Sequence, residues 1–210
     1  DDRIIRCKQY PLPLESRKAI SEWIRKMLAN KFIRPSDSPY RSPLLVVAKL
    51  TSGGKWKGWR IVFDARKINE KTKSYPGTPP PNSQQIFADL NGGVLFSTTD
   101  FKNGFYNVSM TDRAAKICAF ADPTTGLLYE HCKMPMGLIG SPASFAKLGA
   151  LLFHEIISVC LQLYIDDLVA YTTKQHVQEA LKRKEEENDD TVITTKLGIH
   201  TLQLESVFQR

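Results

Sequence analysis

The sequence lacks a long uninterrupted hydrophobic run. Its longest apolar stretch, 148–165, is too polar for a membrane span, being broken by His154, Glu155, Ser158 and Gln162. No signal peptide is recognisable either, because no apolar segment follows a basic amino terminus. We therefore expect no membrane partner for this chain.

Cysteine is scarce, and its placement argues against both a disulfide framework and a zinc site. The four cysteines, Cys7, Cys118, Cys132 and Cys160, form no CxxC pair, and the four histidines show no metal-ligand spacing. Buried, reduced thiols are the expected state, which is typical of an intracellular protein.

Acidic residues are few in the first third of the chain. Residues 1–75 carry 18 Lys and Arg against 7 Asp and Glu, whereas residues 76–170 carry 5 against 8. This segregation favours a phosphate-binding region followed by a cation-binding one. A solvated basic surface without a partner remains the alternative.

Two adjacent carboxylates, Asp166 and Asp167, lie in the middle of the apolar segment Leu161–Tyr171. The flanking runs are typical of buried strands, so the acid pair is predicted at the turn of a hairpin. A charge beside a dry core is costly unless a cation compensates it. The alternative is that both side chains are simply solvated at the hairpin tip.

A third aspartate, Asp100, ends a strand-like run within Val94–Val108. Asp100 by itself is equally compatible with a helix N-cap. One strand that ends in Asp, together with a hairpin that carries Asp-Asp, supplies the oxygen ligands of a two-metal phosphoryl-transfer site. We therefore predict that the carboxylates of Asp100 and Asp166 converge.

These two segments resemble the catalytic motifs of reverse transcriptases of the gypsy-like LTR-retrotransposon and retroviral type. Tyr164–Asp167 is similar to the active-site hairpin, and Thr99–Tyr106 is similar to the first catalytic motif. The resemblance implies an α+β fold with the fingers and palm of a polymerase, its antiparallel palm sheet having helices packed on one face. It implies Mg²⁺ as cofactor, with Mn²⁺ as the alternative, held by Asp100, Phe101, Asp166 and Asp167.

A third resemblance lies in Trp59–Asn69, which is similar to the fingers motif of the family. By position, Arg60 is expected to hold the triphosphate of the incoming nucleotide, and Lys49 is the expected lysine partner. Guanidinium and ammonium groups suit phosphate oxygens well. Because the intervening loop is longer than in many relatives, Lys55 or Lys57 remains an alternative to Lys49.

The resemblance assigns three further residues to nucleotide binding, namely Phe101, Phe105 and Met136. The ring of Phe105 is expected to lie under the sugar and to exclude a 2′-hydroxyl group, so that deoxynucleotides are selected. Without the resemblance, Phe105 would be an ordinary core aromatic. Met136 occupies a position where relatives carry Phe or Gln, and it is expected to pack on the base pair.

Periodicity predicts several elements around these motifs. A helix begins near Ser16, with Ser16 as its cap and Asn30 in the left-handed position after its end. Strands are predicted at Leu44–Leu50, Trp59–Phe63, Ala114–Ala121 and Leu127–Lys133. Helices are predicted at Ser83–Leu90, capped by Ser83 and with Ile86, Phe87 and Leu90 inward, from Ser141 onwards, and at Thr173–Asn188.

We expect three regions: a basic helix and fingers hairpin at 1–81, a palm at 82–172, and a charged helix with a divergent tail at 173–210. The tail is expected to lack a thumb, and its segment Lys196–His200 is only a distorted primer grip. The expected function is addition of dNTPs to a primer on an RNA or DNA template, although without a thumb the chain by itself is expected to be a poor polymerase. Template–primer duplex and dNTPs are the expected partners, with RNase H, protease and integrase domains of a parent polyprotein. The expected location is the cytoplasm or a retrotransposon particle. The alternative is an inactive mobile-element remnant that at most binds nucleic acid.

Overall fold

A computed structural model describes residues 4–73, 82–101, 103–165 and 167–187. Its helices are α1 Leu14–Ala29, α2 Arg66–Lys71, α3 Ser83–Leu90, α4 Asp112–Ile117, α5 Ser141–Phe153 and α6 Lys174–Glu187. Its strands are β1 Ile33–Pro35, β2 Leu44–Leu50, β3 Trp56–Phe63, β4 Gly93–Asp100, β5 Ala119–Ala121, β6 Leu128–His131, β7 Leu161–Tyr164 and β8 Asp167–Thr173. A 3₁₀ turn covers Gly104–Asn107.

The described residues form two compact units, each assembled from two separate stretches of chain. The first unit combines the described part of 1–75 with Phe105–Ser141. The second combines the described part of 76–104 with the described residues from Pro142 onwards.

Helix α1 supplies one side of the core of the first unit. Ile20, Ile24 and Met27 recur at steps of four and three, and all three are buried. They form a cluster with residues of the strands, among them Ile33, Leu44, Phe63 and Phe120. In the same unit β2 and β3 pair as an antiparallel hairpin, and β1, β6 and β5 form a three-stranded sheet in that order.

The α1 helix was predicted correctly, but both of its expected end residues were wrong. The helix begins two residues earlier, after Pro13, and Ser16 is buried within its first turn instead of capping it. Asn30 has φ −85°, and the left-handed conformation belongs to Lys31 with φ 57°. Proline is favoured near a helix start because its φ is already helical and its missing N–H is not needed there.

The strand predicted at Ala114–Ala121 is helical in its first half. Thr111 caps α4 by accepting the backbone N–H of Ala114 through its hydroxyl oxygen. Only Ala119–Ala121 is a strand, and it pairs with β6. The Thr-Asp start is a good capping signal, and this local preference was overlooked in the sequence. The prediction of strand Leu44–Leu50 is confirmed, whereas its partner begins at Trp56 instead of Trp59.

The second unit contains a three-stranded antiparallel sheet in the order β4-β8-β7. Its core consists of Phe153 from α5 with Leu161, Leu163, Leu168 and Ala170 from the two strands of the hairpin. Gly149 lets α5 approach β7 closely, because an added Cβ would overlap the Leu163 side chain.

Helix α3 has the predicted bounds but a different cap and a different exposed face. The side chain of Asn82 accepts the backbone N–H of Gln84, so Asn82, not Ser83, is the N-cap. Phe87 is 73% exposed, and the expectation that it points inward was wrong.

Within the described ranges, no helix is long and apolar enough to cross a membrane. All four cysteines are free thiols, with Cys118 and Cys160 buried and Cys7 and Cys132 half-buried.

His131 is the most deeply buried ionisable residue of the first unit. It is fully buried, and neither ring nitrogen has a hydrogen-bond partner among the described residues. Four rings surround it at centroid distances of 5.0 to 6.4 Å: Phe63, Phe120, Trp23 and Tyr106. Burial lowers the pKa of His131 to about 3, because an unsolvated imidazolium is disfavoured.

We expect the free energy of unfolding to fall by about 2 kcal/mol between pH 7 and pH 5 because of His131. The unfolded histidine takes up a proton below its ordinary pKa of 6.5, whereas the folded one stays neutral until about pH 3. The stabilisation that comes from neutral, buried His131 is therefore present above pH 6.5, and it is lost progressively as the pH falls from 6.5 towards 3. Urea unfolding of the parent and of His131→Phe at both pH values measures the difference.

The variant His131→Phe serves as the control, since it keeps an aromatic ring but cannot titrate. Asp64 contributes little in this interval, because its pKa is lowered to about 2 by Arg66 and its own stabilisation is lost only below about pH 4. An equal loss of stability in the parent and in His131→Phe would contradict the assignment.

Candidate active site

Strand β4 ends at Asp100 and strand β8 begins at Asp167, and the sheet register places these two residues directly opposite each other. Residues that face each other across antiparallel strands have Cβ atoms about 4.5–5.5 Å apart and project from the same face. The two carboxylates, 67 positions apart in sequence, are thus neighbours in the second unit.

The acid pair lies on the accessible face of this sheet. Along β4 the side chains alternate, and Phe96, Thr98 and Asp100 form the exposed set. On β8 the next residue, Leu168, points into the core, whereas Asp167 is exposed. The packed face lies behind the carboxylates, and at the end of the sheet where Asp100 and Asp167 meet their own face is accessible, whereas Tyr171 and Gln162 are buried further along it.

The β7–β8 hairpin has a two-residue connection, since Tyr164 pairs with Asp167. Its first residue, Ile165, has φ 59°, a left-handed conformation that two-residue hairpins require at this position. A β-branched side chain is disfavoured there, and strain of this kind persists only where surrounding structure enforces it. The second residue, Asp166, lies outside the described residues, so its predicted convergence with Asp100 stays a prediction.

The side chain of Phe101 packs inside the second unit. Its ring contacts Phe145 edge-on at 5.3 Å between centroids and Phe153 at 6.2 Å. The Phe101 carbonyl oxygen accepts the N–H of Gly104 at 3.1 Å. A carbonyl oxygen has a second lone pair, so this atom is the part of Phe101 that is able to coordinate a cation.

The residues present suit a hard divalent cation. Asp100 and Asp167 supply carboxylate oxygens from two adjacent strands, and Mg²⁺ is typically bound through one or two carboxylates together with substrate phosphates. Among the described residues no group of three or more His, Cys, Asp or Glu is gathered for a metal, and Asp166 is not among them.

The β2–β3 hairpin of the first unit brings the two expected phosphate ligands to one face. Val47 pairs with Arg60, and Lys49 pairs with Gly58. Lys49 and Arg60 are therefore diagonal neighbours, with a Cα separation of about 7–8 Å. Both side chains are exposed, so two cations are available on a single surface of the hairpin.

The alternative lysines lie closer to the hairpin tip. Lys55 follows the turn at 51–54, where its N–H donates to the Thr51 hydroxyl and its carbonyl accepts the Thr51 N–H. Lys57 lies on β3 next to Gly58, on the side nearer the hairpin tip. The φ of 132° at Gly58 interrupts the regular alternation of the strand there. Of these three lysines, the strand pairing therefore places only Lys49 on the same face as Arg60.

Phe105 and Met136 also belong to the first unit. Phe105 lies half-buried in the 3₁₀ turn Gly104–Asn107, and its carbonyl accepts the N–H of Val108. Met136 is 48% exposed in the loop that leads to α5, so its side chain is accessible to a ligand.

One supporting residue, Asn69, was not singled out from the sequence. Its side-chain amide donates to the Gly137 carbonyl at 2.7 Å, and its side-chain oxygen accepts the Ile139 N–H at 2.9 Å. Gly137 has φ 99°, which favours glycine in this loop. Asn69 thus fixes the Met136 loop from α2. Its position at the end of the fingers motif was the available signal.

Comparison with known proteins identifies relatives across most of the chain. Residues 49–200 match the family model described as reverse transcriptase (RNA-dependent DNA polymerase). The Pol polyprotein of transposon 297 from Drosophila melanogaster is 31% identical over 94% of this chain and 18% of the relative. The Pol polyprotein of transposon gypsy, from the same organism, is 30% identical over 87% of this chain and 18% of the relative.

Solved structures show the same fold. The native protease–reverse transcriptase of prototype foamy virus has a TM-score of 0.70 and 29% identity, covering 87% of this chain and 24% of that protein. A second foamy viral protease–reverse transcriptase, in complex with double-stranded DNA, also has a TM-score of 0.70, with 27% identity over 87% of this chain and 30% of that protein. The α+β polymerase fold expected from the sequence is confirmed.

The chain spans less than a fifth of the length of these two curated polyproteins. Members of the matched family generally depend on divalent metal ions, and the carboxylates of Asp100 and Asp167 are of the type that such ions prefer. Since the family model matches well over half of its residues, this chain belongs to the reverse transcriptases, the RNA-dependent DNA polymerases.

Proposed function

We propose that this chain catalyses RNA-directed DNA synthesis by adding deoxynucleotides to a primer on an RNA or DNA template. The observation that carries the proposal is the register of Asp100 opposite Asp167, both exposed at one end of the β4-β8-β7 sheet. Two carboxylates on adjacent strands suit a metal-assisted phosphoryl transfer.

In this proposal Asp100 and Asp166 would hold the Mg²⁺ ions, with Mn²⁺ as the alternative, and Asp167 would be an accessory carboxylate. The Phe101 carbonyl oxygen is a further ligand. The ions, when bound, neutralise charge that develops on the attacking and leaving oxygens. Asp100 and Asp167 project from paired strands, which position side chains more precisely than loops do.

The basic excess of residues 1–75 is the proposed electrostatic surface for the template–primer duplex. A foamy viral relative of the same fold is described with double-stranded DNA. Because the curated relatives are Pol polyproteins, we further propose that RNase H, protease and integrase domains accompany this chain in a polyprotein. The proposed location is the cytoplasm or a retrotransposon particle.

An inactive remnant is the competing account, and two features disfavour it. Asp100 and Asp167 place two carboxylates directly opposite each other on paired strands, and the strained Ile165 lies in the β7–β8 turn that leads into Asp167. Strain of this kind lowers stability and is usually kept where it serves a site.

The incoming triphosphate is proposed to contact Arg60 and Lys49 on the β2–β3 hairpin. Arg60→Ala is expected to raise the KM for dNTP roughly ten- to hundredfold, because a hydrogen-bonded charge contributes about 1.5–3 kcal/mol. A dNTP titration under single-nucleotide incorporation on a fixed primer–template measures this change.

Two lysine variants serve as matched controls. Lys49→Ala should raise KM nearly as much as Arg60→Ala, whereas Lys57→Ala should change it by less than about threefold, since the ladder does not place Lys57 beside Arg60. If Lys57→Ala raised the KM for dNTP more than Lys49→Ala, the triphosphate would be bound by Lys57 near the hairpin tip and not by Lys49.

The proposed function is tested by incorporation of labelled dTTP on oligo(dT)–poly(rA). We expect slow, distributive incorporation with Mg²⁺, because no thumb is expected to position the primer, and none after chelation. If no nucleotide is added under any divalent-metal condition, or if addition survives chelation, the proposal is wrong.

A further inference from the structure

The second unit contains a cavity of about 320 Å³ that no part of the proposed polymerase mechanism uses. It lies between α3, α5 and the segment that leads into β7. Its apolar walls are formed by Ile86, Ala146, Ala150, Ile157 and Leu163. The volume is at the lower end of the range for small-molecule sites, which are typically apolar with a few placed polar groups.

The main polar group of this cavity is the carboxylate of Asp89, at the carboxyl end of α3. Its Oδ2 accepts the side-chain N–H of Gln162 at 3.0 Å and the hydroxyl of Ser158 at 3.3 Å. Its Oδ1 accepts the side-chain N–H of Gln85 at 2.7 Å. Gln162 is itself only 5% exposed, so the partner that orients Asp89 is packed in the interior of the second unit.

All three of these donors are neutral, and they therefore orient the carboxylate without cancelling its charge. Among the described residues that line the cavity there is no Lys, Arg or His. The pKa of Tyr171 behind the cavity is raised by burial and, to a smaller extent, by the negative charge of Asp89. A carboxylate offers about four acceptor positions, so one remains for a ligand that brings a positive charge.

We propose that this cavity binds a small organic cation, in which a protonated amine contacts Asp89 and an apolar body fills the space along α5. Charge complementarity favours the amine, because a charge-assisted hydrogen bond is about twice as strong as a neutral one. The apolar walls favour a hydrocarbon body over a hydrated inorganic cation. This site is separate from the acid pair of β4 and β8, and the inference does not depend on polymerase activity.

The test is an NMR titration of the ¹⁵N-labelled chain at pH 7 with 2-phenylethylamine and with its neutral analogue 2-phenylethanol. We expect the amine to shift amide signals of α3 and β7 and to bind at least about tenfold more tightly than the alcohol. Asp89→Asn should weaken amine binding roughly ten- to hundredfold and leave binding of the alcohol within about twofold.

Two further variants make the result decisive. Ala150→Leu should weaken binding of both probes by narrowing the cavity, and it decides the question if Asp89→Asn fails to fold. Asp167→Asn should leave amine binding unchanged, because that carboxylate belongs to the other site. Absence of amine binding, equal affinity for both probes, undiminished binding to Asp89→Asn or Ala150→Leu, or loss in Asp167→Asn would each overturn the proposal.

Discussion

Asp100→Asn is expected to reduce single-nucleotide incorporation by about a thousandfold or more. The amide keeps the size and hydrogen-bonding capacity of the side chain but removes the negative charge that would hold the metal ions. Metal ions stabilise charge in the transition state by several kcal/mol, and about 4 kcal/mol corresponds to three powers of ten in rate. The initial rate at saturating dNTP and Mg²⁺, compared with the parent, measures the effect.

Asp37→Asn provides the matched control, since it makes the same chemical change at a side chain that is 87% exposed and that forms an ion pair with Lys116 at 3.3 Å. We expect its rate to stay within about twofold of the parent, because exposed ion pairs contribute little. If Asp100→Asn retained a tenth of the parental rate, Asp100 would not be a metal ligand.

Phe105→Val is expected to raise the ratio of ribonucleotide to deoxynucleotide incorporation at least about tenfold. In the proposed mechanism the phenyl ring collides with a 2′-hydroxyl group, and a smaller side chain removes that collision. Steric discrimination in an apolar pocket is typically about 1–3 kcal/mol, and 1.4 kcal/mol is a tenfold change in selectivity. Competing rUTP and dTTP on the same primed template gives the ratio of kcat/KM values.

The control variant Phe105→Tyr retains the ring and should leave the ratio within about twofold of the parent. Phe105 is half-buried in the 3₁₀ turn, so the smaller side chain of Phe105→Val is expected to lower the free energy of unfolding modestly. Thermal unfolding of each variant separates that loss from selectivity. If a folded Phe105→Val variant left the ratio of ribonucleotide to deoxynucleotide incorporation unchanged, Phe105 would be an ordinary core aromatic without a part in sugar selection.

The elements that bear on the catalytic site were accessible from the sequence because strong local patterns specify them. Asp100 ends a strand and Asp167 begins one, as the apolar runs on either side predicted. The β2 strand has its predicted bounds, and its pairing with β3 places Lys49 and Arg60 on one face of the hairpin. What the sequence did not provide is the register of β4 on β8, which depends on a pairing between segments about 70 residues apart.

Errors in the expected elements arose where local capping competed with hydrophobic periodicity. Ala114–Ile117 is apolar enough for a strand, but the Thr111 cap directs it into a helix. Pro13 is the N-cap of α1 and Asn82 is the N-cap of α3, and each precedes the serine that was expected to cap its helix. These alternatives differ by about 1 kcal/mol or less, so sequence inspection does not separate them well.

Tertiary hydrogen bonds were inaccessible from the sequence for a different reason. Asn69 supports the Met136 loop across 68 and 70 positions, and Gln162 fixes Asp89 across 73. Neither pair has a signature in spacing or composition. The assembly of each compact unit from two separate stretches was inaccessible for the same reason. Contacts between residues that are distant in sequence define a unit, and spacing and composition do not reveal them.

The central claim, that the carboxylates of β4 and β8 hold a divalent cation, is tested most directly by Mn²⁺ binding. Electron paramagnetic resonance measures free Mn²⁺ during titration of the chain in the presence of dNTP, without any need for primer positioning. We expect the parent to bind Mn²⁺ at least about tenfold more tightly than the double variant Asp100→Asn/Asp167→Asn, since two anionic ligands are lost. Superimposable titration curves for the parent and the double variant would contradict the account.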